Sequence, residues 1–157
     1  MVPHSDATDT PNPLALEQQV CFALSVAARS VVAAYRPLLE PMGLTHPQYL
    51  VMLALWQHAP LSVRRLSELL QLDPGTLSPL LKRLEAIGYL RRERDRADER
   101  NLAITLTPEG QALRSRAEQI PPAVVQRLGM PVEDLQQLHA ALTQVIAAAR
   151  PAATTAS

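Results

Sequence analysis

The chain holds a single cysteine, Cys21, among 157 residues. With no second thiol to pair with, its available chemistry is that of a thiolate, which can attack an electrophilic oxygen or bind a metal; otherwise it packs as a small hydrophobe. Metal ligation finds no support, because His4, His46, His58 and His139 lack ligand spacing with the cysteine or with carboxylates. There is no glycine-rich phosphate loop and no nucleophile elbow, so neither an enzyme nor a bound cofactor is expected. A thiol peroxidase is the nearest enzymatic alternative.

The second group with chemical meaning is basic. Formal net charge is zero, so attraction for a polyanion must come from local clustering. Residues 62–100 hold nine Lys and Arg against seven acids, net +2, and the rest of the chain is net −2. Lys82 and Arg83 lie late in one helical stretch, while Arg91, Arg92, Arg94, Arg96 and Arg100 follow it. Arginine grips phosphates and enters minor grooves. A run of alternating Arg and Asp/Glu is equally compatible with a solvated hairpin tip until its place in the fold is known.

The elements that position these groups are mostly helical. Hydrophobic residues make up 47% of the chain and aromatics only 3%, with Leu, Ala and Val dominant. A helix is expected from near Leu14, with Leu14, Cys21, Ala28 and Tyr35 at intervals of seven on one face and Pro37 kinking or ending it. Thr45 reads as the N-cap of a second helix with Pro47 in its first turn, stopped by His58-Ala59-Pro60. Two shorter helices follow, Ser62 to Leu70 and Asp73 to Ile87, with Asp73 as N-cap and Pro74 at the first helical position. Gly88 closes the second of them. Extended runs Tyr89–Arg94 and Asn101–Leu106 then flank the charged segment 95–100. Thr107-Pro108-Glu109 restarts helix, and a last helix runs from about Pro131 to Ala149. A helix pair followed by a charged hairpin is a winged helix. The expected fold is therefore mostly α, a winged helix-turn-helix with a two-stranded β wing.

At this point particular residues carry a family likeness. The runs Gly75-Thr76-Leu77-Ser78-Pro79-Leu80-Leu81-Lys82-Arg83-Leu84-Glu85, Gly88-Tyr89-Leu90, and Asp95–Arg100 leading into Leu106-Thr107-Pro108-Glu109-Gly110 resemble the MarR family of dimeric winged-helix repressors. Upstream, Gln19–Leu24, Tyr35–Leu39, Gly43-Leu44-Thr45 and Pro47–Leu50 resemble its organic-hydroperoxide-sensing branch, the OhrR type. The resemblance spans nearly all of the chain between its two ends. It implies a homodimer whose first and last helices interlock, with recognition helices in successive major grooves of a pseudo-palindromic double-stranded operator and wings in the flanking minor grooves. Thr76, Ser78, Lys82 and Arg83 are the expected recognition contacts, although Thr76 and Ser78 also suit plain helix-start chemistry. Asp98 and Arg100 match the family's wing pair. Pro74 replaces a small polar residue of the branch.

For Cys21 the resemblance implies a thiolate held by tyrosine hydroxyls and oxidised by an organic hydroperoxide to a sulfenic acid. Tyr35 matches one of those tyrosines. On one continuous helix Cys21 and Tyr35 would be about 21 Å apart, fourteen residues at roughly 1.5 Å each, so if Tyr35 bonds the thiol it does so from the other subunit; an interface or core phenol with its hydroxyl satisfied elsewhere is the alternative. The branch's second tyrosine is replaced by His46. A histidine can donate a hydrogen bond, and if protonated would lower the thiol pKa further; an exposed residue in a first helical turn is the plainer reading. Ser25 adds less bulk beside the thiol than a tyrosine would. With one cysteine, resolution falls to a small cellular thiol or to overoxidation.

A MarR-type repressor released by a phenolic or aromatic ligand, with Cys21 inert, is the competing function. The expected organisation is a disordered tail over 1–12, a domain over 13–150 with its DNA-binding part at 61–106 and dimerisation parts at 13–45 and 107–150, and a disordered tail over 151–157. No secretory signal and no run of about 18 uninterrupted apolar residues is evident, so cytoplasmic residence without membrane association is expected.

Overall fold

A computed structural model describes residues 12–94 and 102–150, and the two expected tails fall almost wholly outside them. The chain divides into two compact units, up to Ala33 and from Ala34 onward. In the first, Leu16–Gln18 form a 3-10 turn and helix α1, Val20–Leu39, begins only after it. Gln19 is extended (φ −80°, ψ 122°), and its side-chain amide donates to the carbonyls of Pro13 (2.8 Å) and Ala15 (3.1 Å). Its backbone N–H turns to Leu16 O instead of Ala15 O. Leu14 therefore drops out of the expected helical face, which retains Cys21, Ala28 and Tyr35. Pro37 lies inside α1 and does not end it. A 3-10 turn, Glu40–Met42, follows, and Gly43 closes it at φ 72°, a left-handed angle that favours glycine.

Helix α2, His46–His58, starts with a full capping box, Thr45 accepting from Gln48 N while the Gln48 side chain accepts from Thr45 N. It is the central helix of the second unit, with Tyr49, Val51, Met52, Ala54 and Leu55 all buried. Helix α3, Val63–Leu70, is capped by Ser62; helix α4, Pro74–Ile87, is capped by Asp73 and ended by Gly88 at φ 99°. Leu66 of α3 and Leu77, Leu81 and Leu84 of α4 are buried against the α2 core. The expected helix-turn-helix is thus present.

The wing differs from expectation by one strand. Strands β2, Leu90–Arg94, and β3, Leu102–Leu106, pair antiparallel as anticipated, and a short strand β1, Leu61–Ser62, adds to the other edge of β3 with Leu61 opposite Ile104. Its two residues lie just before α3, where no helical partner serves their backbone groups, and the open edge of β3 supplies one.

Helix α5, Pro108–Ala117, capped by Thr107, was anticipated; its separation from α6, Ile120–Leu128, was not. Pro121 and Pro122 remove the amide donors that Ala117 and Glu118 carbonyls would need, so the helix stops and restarts. Helix α7, Val132–Ala149, buries no residue, and α1 buries only Leu39. By length and composition alone Val20–Met42, mean hydropathy 1.2, is apolar enough to cross a membrane, though Arg29 and Arg36 interrupt it.

One junction ties the end of α4 to the start of α5. Thr107 Oγ1 donates to Gly88 O, Thr107 N to Tyr89 O (3.2 Å), and the Trp56 indole to Gly110 O (2.9 Å). The Tyr89 hydroxyl donates to Met42 O at 2.6 Å. A Cβ placed on Gly110 would lie 2.0 Å from Tyr89 O, an overlap with backbone that no rotamer relieves. Gly110→Ala should therefore cost about 1–3 kcal/mol of stability, read as a lower midpoint in urea with unchanged slope.

Candidate functional site

The stripe Leu77, Leu81 and Leu84 recurs at helical spacing and is fully buried, which leaves the opposite face of α4 to solvent. Thr76, Ser78, Lys82 and Arg83 are all exposed. Thr76 also serves the helix start: its N–H donates to Asp73 Oδ1 (2.8 Å) and its hydroxyl to Asp73 Oδ2 (2.9 Å). Those two bonds hold the Asp73 carboxyl below its ordinary pKa. Pro74 occupies the first position of α4, where a missing N–H costs nothing, so local folding accounts for it.

On the wing, Arg91 and Arg94 are exposed, but Arg92 is not available in the same way. Its guanidinium forks onto Glu85, Nη2 to Oε1 at 3.1 Å and Nε to Oε2 at 3.4 Å, and its backbone N–H also donates to Oε2 at 3.1 Å. The hydrogen bond from Arg92 keeps the Glu85 carboxyl below its usual range. Arg92 thus leaves the set of arginines read from sequence as DNA-gripping, and Glu85 joins the site unannounced. A seven-residue separation across a glycine-closed helix end is the only sequence trace of the pair. Asp98 and Arg100 lie outside the described residues.

Cys21 is exposed, the second residue of α1. Ser25 donates its hydroxyl to the Cys21 carbonyl at 2.8 Å, so it is engaged with its own helix backbone.

Tyr35 and His46 come together at the other end of α1. Their rings meet edge to face with centroids 4.9 Å apart, and Tyr49 stands 5.8 Å from Tyr35 and 6.4 Å from His46. His46 is half-buried, so the reading of it as a freely exposed first-turn residue is corrected. Burial lowers its pKa and raises those of Tyr35 and, together with the charge of a neighbouring Tyr35, of Tyr49. All three are thereby kept neutral near pH 7. A neutral cluster of this kind offers hydrogen-bond donors and no positive charge. Tyr49, buried among leucines, was read only as part of a motif.

Three helices packed around leucines, a three-stranded sheet beside them and, on the third helix, an exposed face bearing hydroxyls and cations define a winged-helix DNA-binding protein. Residues 44–102 match the model of the MarR family. The chain is 43% identical over 127 residues to the organic hydroperoxide resistance transcriptional regulator of Bacillus subtilis (strain 168), spanning 81% of this chain and 86% of that one. It is 46% identical over 131 residues to the HTH-type transcriptional regulator TtmR of Methylorubrum extorquens (strain PA1), 83% of this chain and 67% of that one. The structure of reduced AbfR bound to DNA matches with a TM-score of 0.69 at 34% identity, over 83% of this chain and 91% of that one; AbfR is from Staphylococcus epidermidis. The chain belongs to the MarR family, whose members are regulators of transcription rather than enzymes.

The His46 shift has a measurable consequence. Because its folded-state pKa lies below the ordinary 6.5, the unfolded chain binds more protons in the window just under that value, and stability falls as pH drops through it. The melting temperature should decline more steeply from pH 7 to pH 5 in the native chain than in His46→Phe, and parallel pH profiles would refute the assignment.

Proposed function

We propose that this chain is a homodimeric repressor that holds a pseudo-palindromic double-stranded operator while Cys21 is reduced and releases it when an organic hydroperoxide oxidises that thiol. The observation that carries the reading is the exposed lone Cys21, set on a helix with almost no buried side of its own. Val20, Phe22 and Val26 on α1 and Val132, Leu138, Val145 and Ile146 on α7 are uncovered apolar side chains, the material of a dimer interface within 13–45 and 107–150. Residues 61–106 then form the DNA-binding part, with Thr76, Ser78, Lys82 and Arg83 on the major groove and Asp98 and Arg100 on the minor groove. A regulator of this kind works where the DNA is, in the cytoplasm. The relatives support the DNA-binding part of the reading, since AbfR has been solved on DNA in its reduced and its overoxidised form; release on oxidation is the step proposed for this chain.

In the proposed reaction the Cys21 thiolate attacks the terminal peroxide oxygen, the O–O bond breaks, and the alkoxide leaves to take up a proton as the alcohol. Sulfur becomes a sulfenic acid, which a small cellular thiol converts to a mixed disulfide with loss of water. Tyr35 and His46 of the opposite subunit are assigned as donors to the thiolate, and a bulkier, polar sulfur would displace them. A loss of about 3 kcal/mol in this way weakens operator binding by about 150-fold.

A duplex selected by the wild-type protein from a random-sequence pool provides the probe. Cumene hydroperoxide should raise its dissociation constant about 150-fold, reversibly with added thiol, and leave Cys21→Ser unaffected. Release by the serine variant would refute thiol sensing, and failure to select any duplex would refute the regulator reading itself.

A second reading is favoured by one observation. A cavity of about 530 Å³ lies among α2, α5 and α6, lined by Tyr49, Leu53, Trp56, Arg114, Ala117 and Pro121. Its size and apolar lining suit an aromatic effector. Trp56 is the chain's single tryptophan. Titration with a substituted benzoate should quench its fluorescence saturably and release DNA from Cys21→Ser if this reading holds; quenching without release would leave the cavity no part in regulation.

A further inference from the structure

The surface of α4 that faces outward contains one acid amid its cations. Glu85 stands three residues, nearly one turn, beyond Lys82, where a negative charge repels phosphate. Its carboxylate is fully engaged. It accepts from three N–H groups of one residue, Arg92 Nε, Nη2 and backbone N, and so holds both the side chain and the main chain of strand β2. Gly88 turns the chain between them at φ 99°, and Arg92 is in turn laddered to Ile104 of β3. The root of the strand is tied at Gly88 and Tyr89 by Thr107 and by the Tyr89 hydroxyl; a carboxylate bound to the third residue of the strand adds a direct tie from the helix itself, farther out along the wing.

We infer that Glu85 is a positioning residue for DNA recognition: its carboxylate withdraws Arg92 from phosphate contact and uses it to fix the angle at which β2, with Arg91 and Arg94, leaves the recognition helix. The inference rests on the DNA-binding reading above. An ordinary exposed ion pair would contribute little and leave sequence discrimination untouched. A positioning pair has the opposite signature, because base-independent attraction and register on the operator respond in different directions.

Two variants separate these cases. Glu85→Gln removes an acid and frees a guanidinium, so affinity for a scrambled duplex should hold or rise while affinity for the selected duplex falls, reducing the ratio of the two about tenfold. Arg92→Lys changes no charge but cannot form the fork, and should reduce the same ratio. An unchanged ratio in Arg92→Lys, or parallel gains on both duplexes in Glu85→Gln, would overturn the inference. Hydrogen exchange supplies a readout without DNA: the Arg92 amide should exchange faster in Glu85→Gln than in the native chain. Unaltered exchange there overturns the clamp even if no duplex is bound, whereas faster exchange with no DNA binding by the native protein would count against the regulator reading alone.

Discussion

Burial of the leucine stripe on α4 is the constraint on which the remainder depends. Leu77, Leu81 and Leu84 can leave water together only by lying against α2 and Leu66 of α3, and that choice rotates the helix about its axis. Once the stripe is inward, Thr76, Ser78, Lys82 and Arg83 have nowhere to go but outward. The surface proposed to read DNA is therefore a by-product of core packing. The same stripe brings Leu84 and Gly88 to the place where β2 departs, so the wing's origin is set by the core as well.

The first and last long helices show the reverse condition. Helices α1 and α7 are long and apolar yet contribute almost nothing to the core of their own chain. Their uncovered side chains are an unmet demand for burial, and the proposed dimer answers it. Under that proposal the thiol lies within the very surface whose closure determines how far apart two recognition helices stand, so a change of a few atoms at sulfur acts on spacing without any contact to DNA.

Much of this was legible in sequence because it was written in local chemistry. Thr45, Asp73 and Thr107 each cap a helix by bonds to residues three positions on, and Gly88 must be glycine at its angle; such signals need no knowledge of the fold. The helix pair and the charged hairpin pointed to the winged helix, and the family likeness supplied the role expected of the thiol. What sequence did not reveal depends on competition between distant or equivalent partners. Gln19 stops a helix by taking carbonyls that the backbone would otherwise use, and β1 exists only because β3 has an open edge. Arg92 was counted with its neighbours because charge alone cannot say which of several arginines meets Glu85. His46 was ambiguous for the same reason, since its partial burial is set by its packing beside the rings of Tyr35 and Tyr49.

The Tyr89 hydroxyl spans from the root of the wing to the carbonyl of Met42, in the turn that directly follows α1. Tyr89 is also the residue whose backbone Gly110 approaches too closely to admit a methyl group. That turn, the root of the wing and the first turn of α5 consequently meet at a single residue, the first through its hydroxyl and the last through its backbone. Any displacement of the Glu40–Met42 turn must either break that hydrogen bond or carry the root of the wing along with it, so this tyrosine is a rigid strut rather than a hinge.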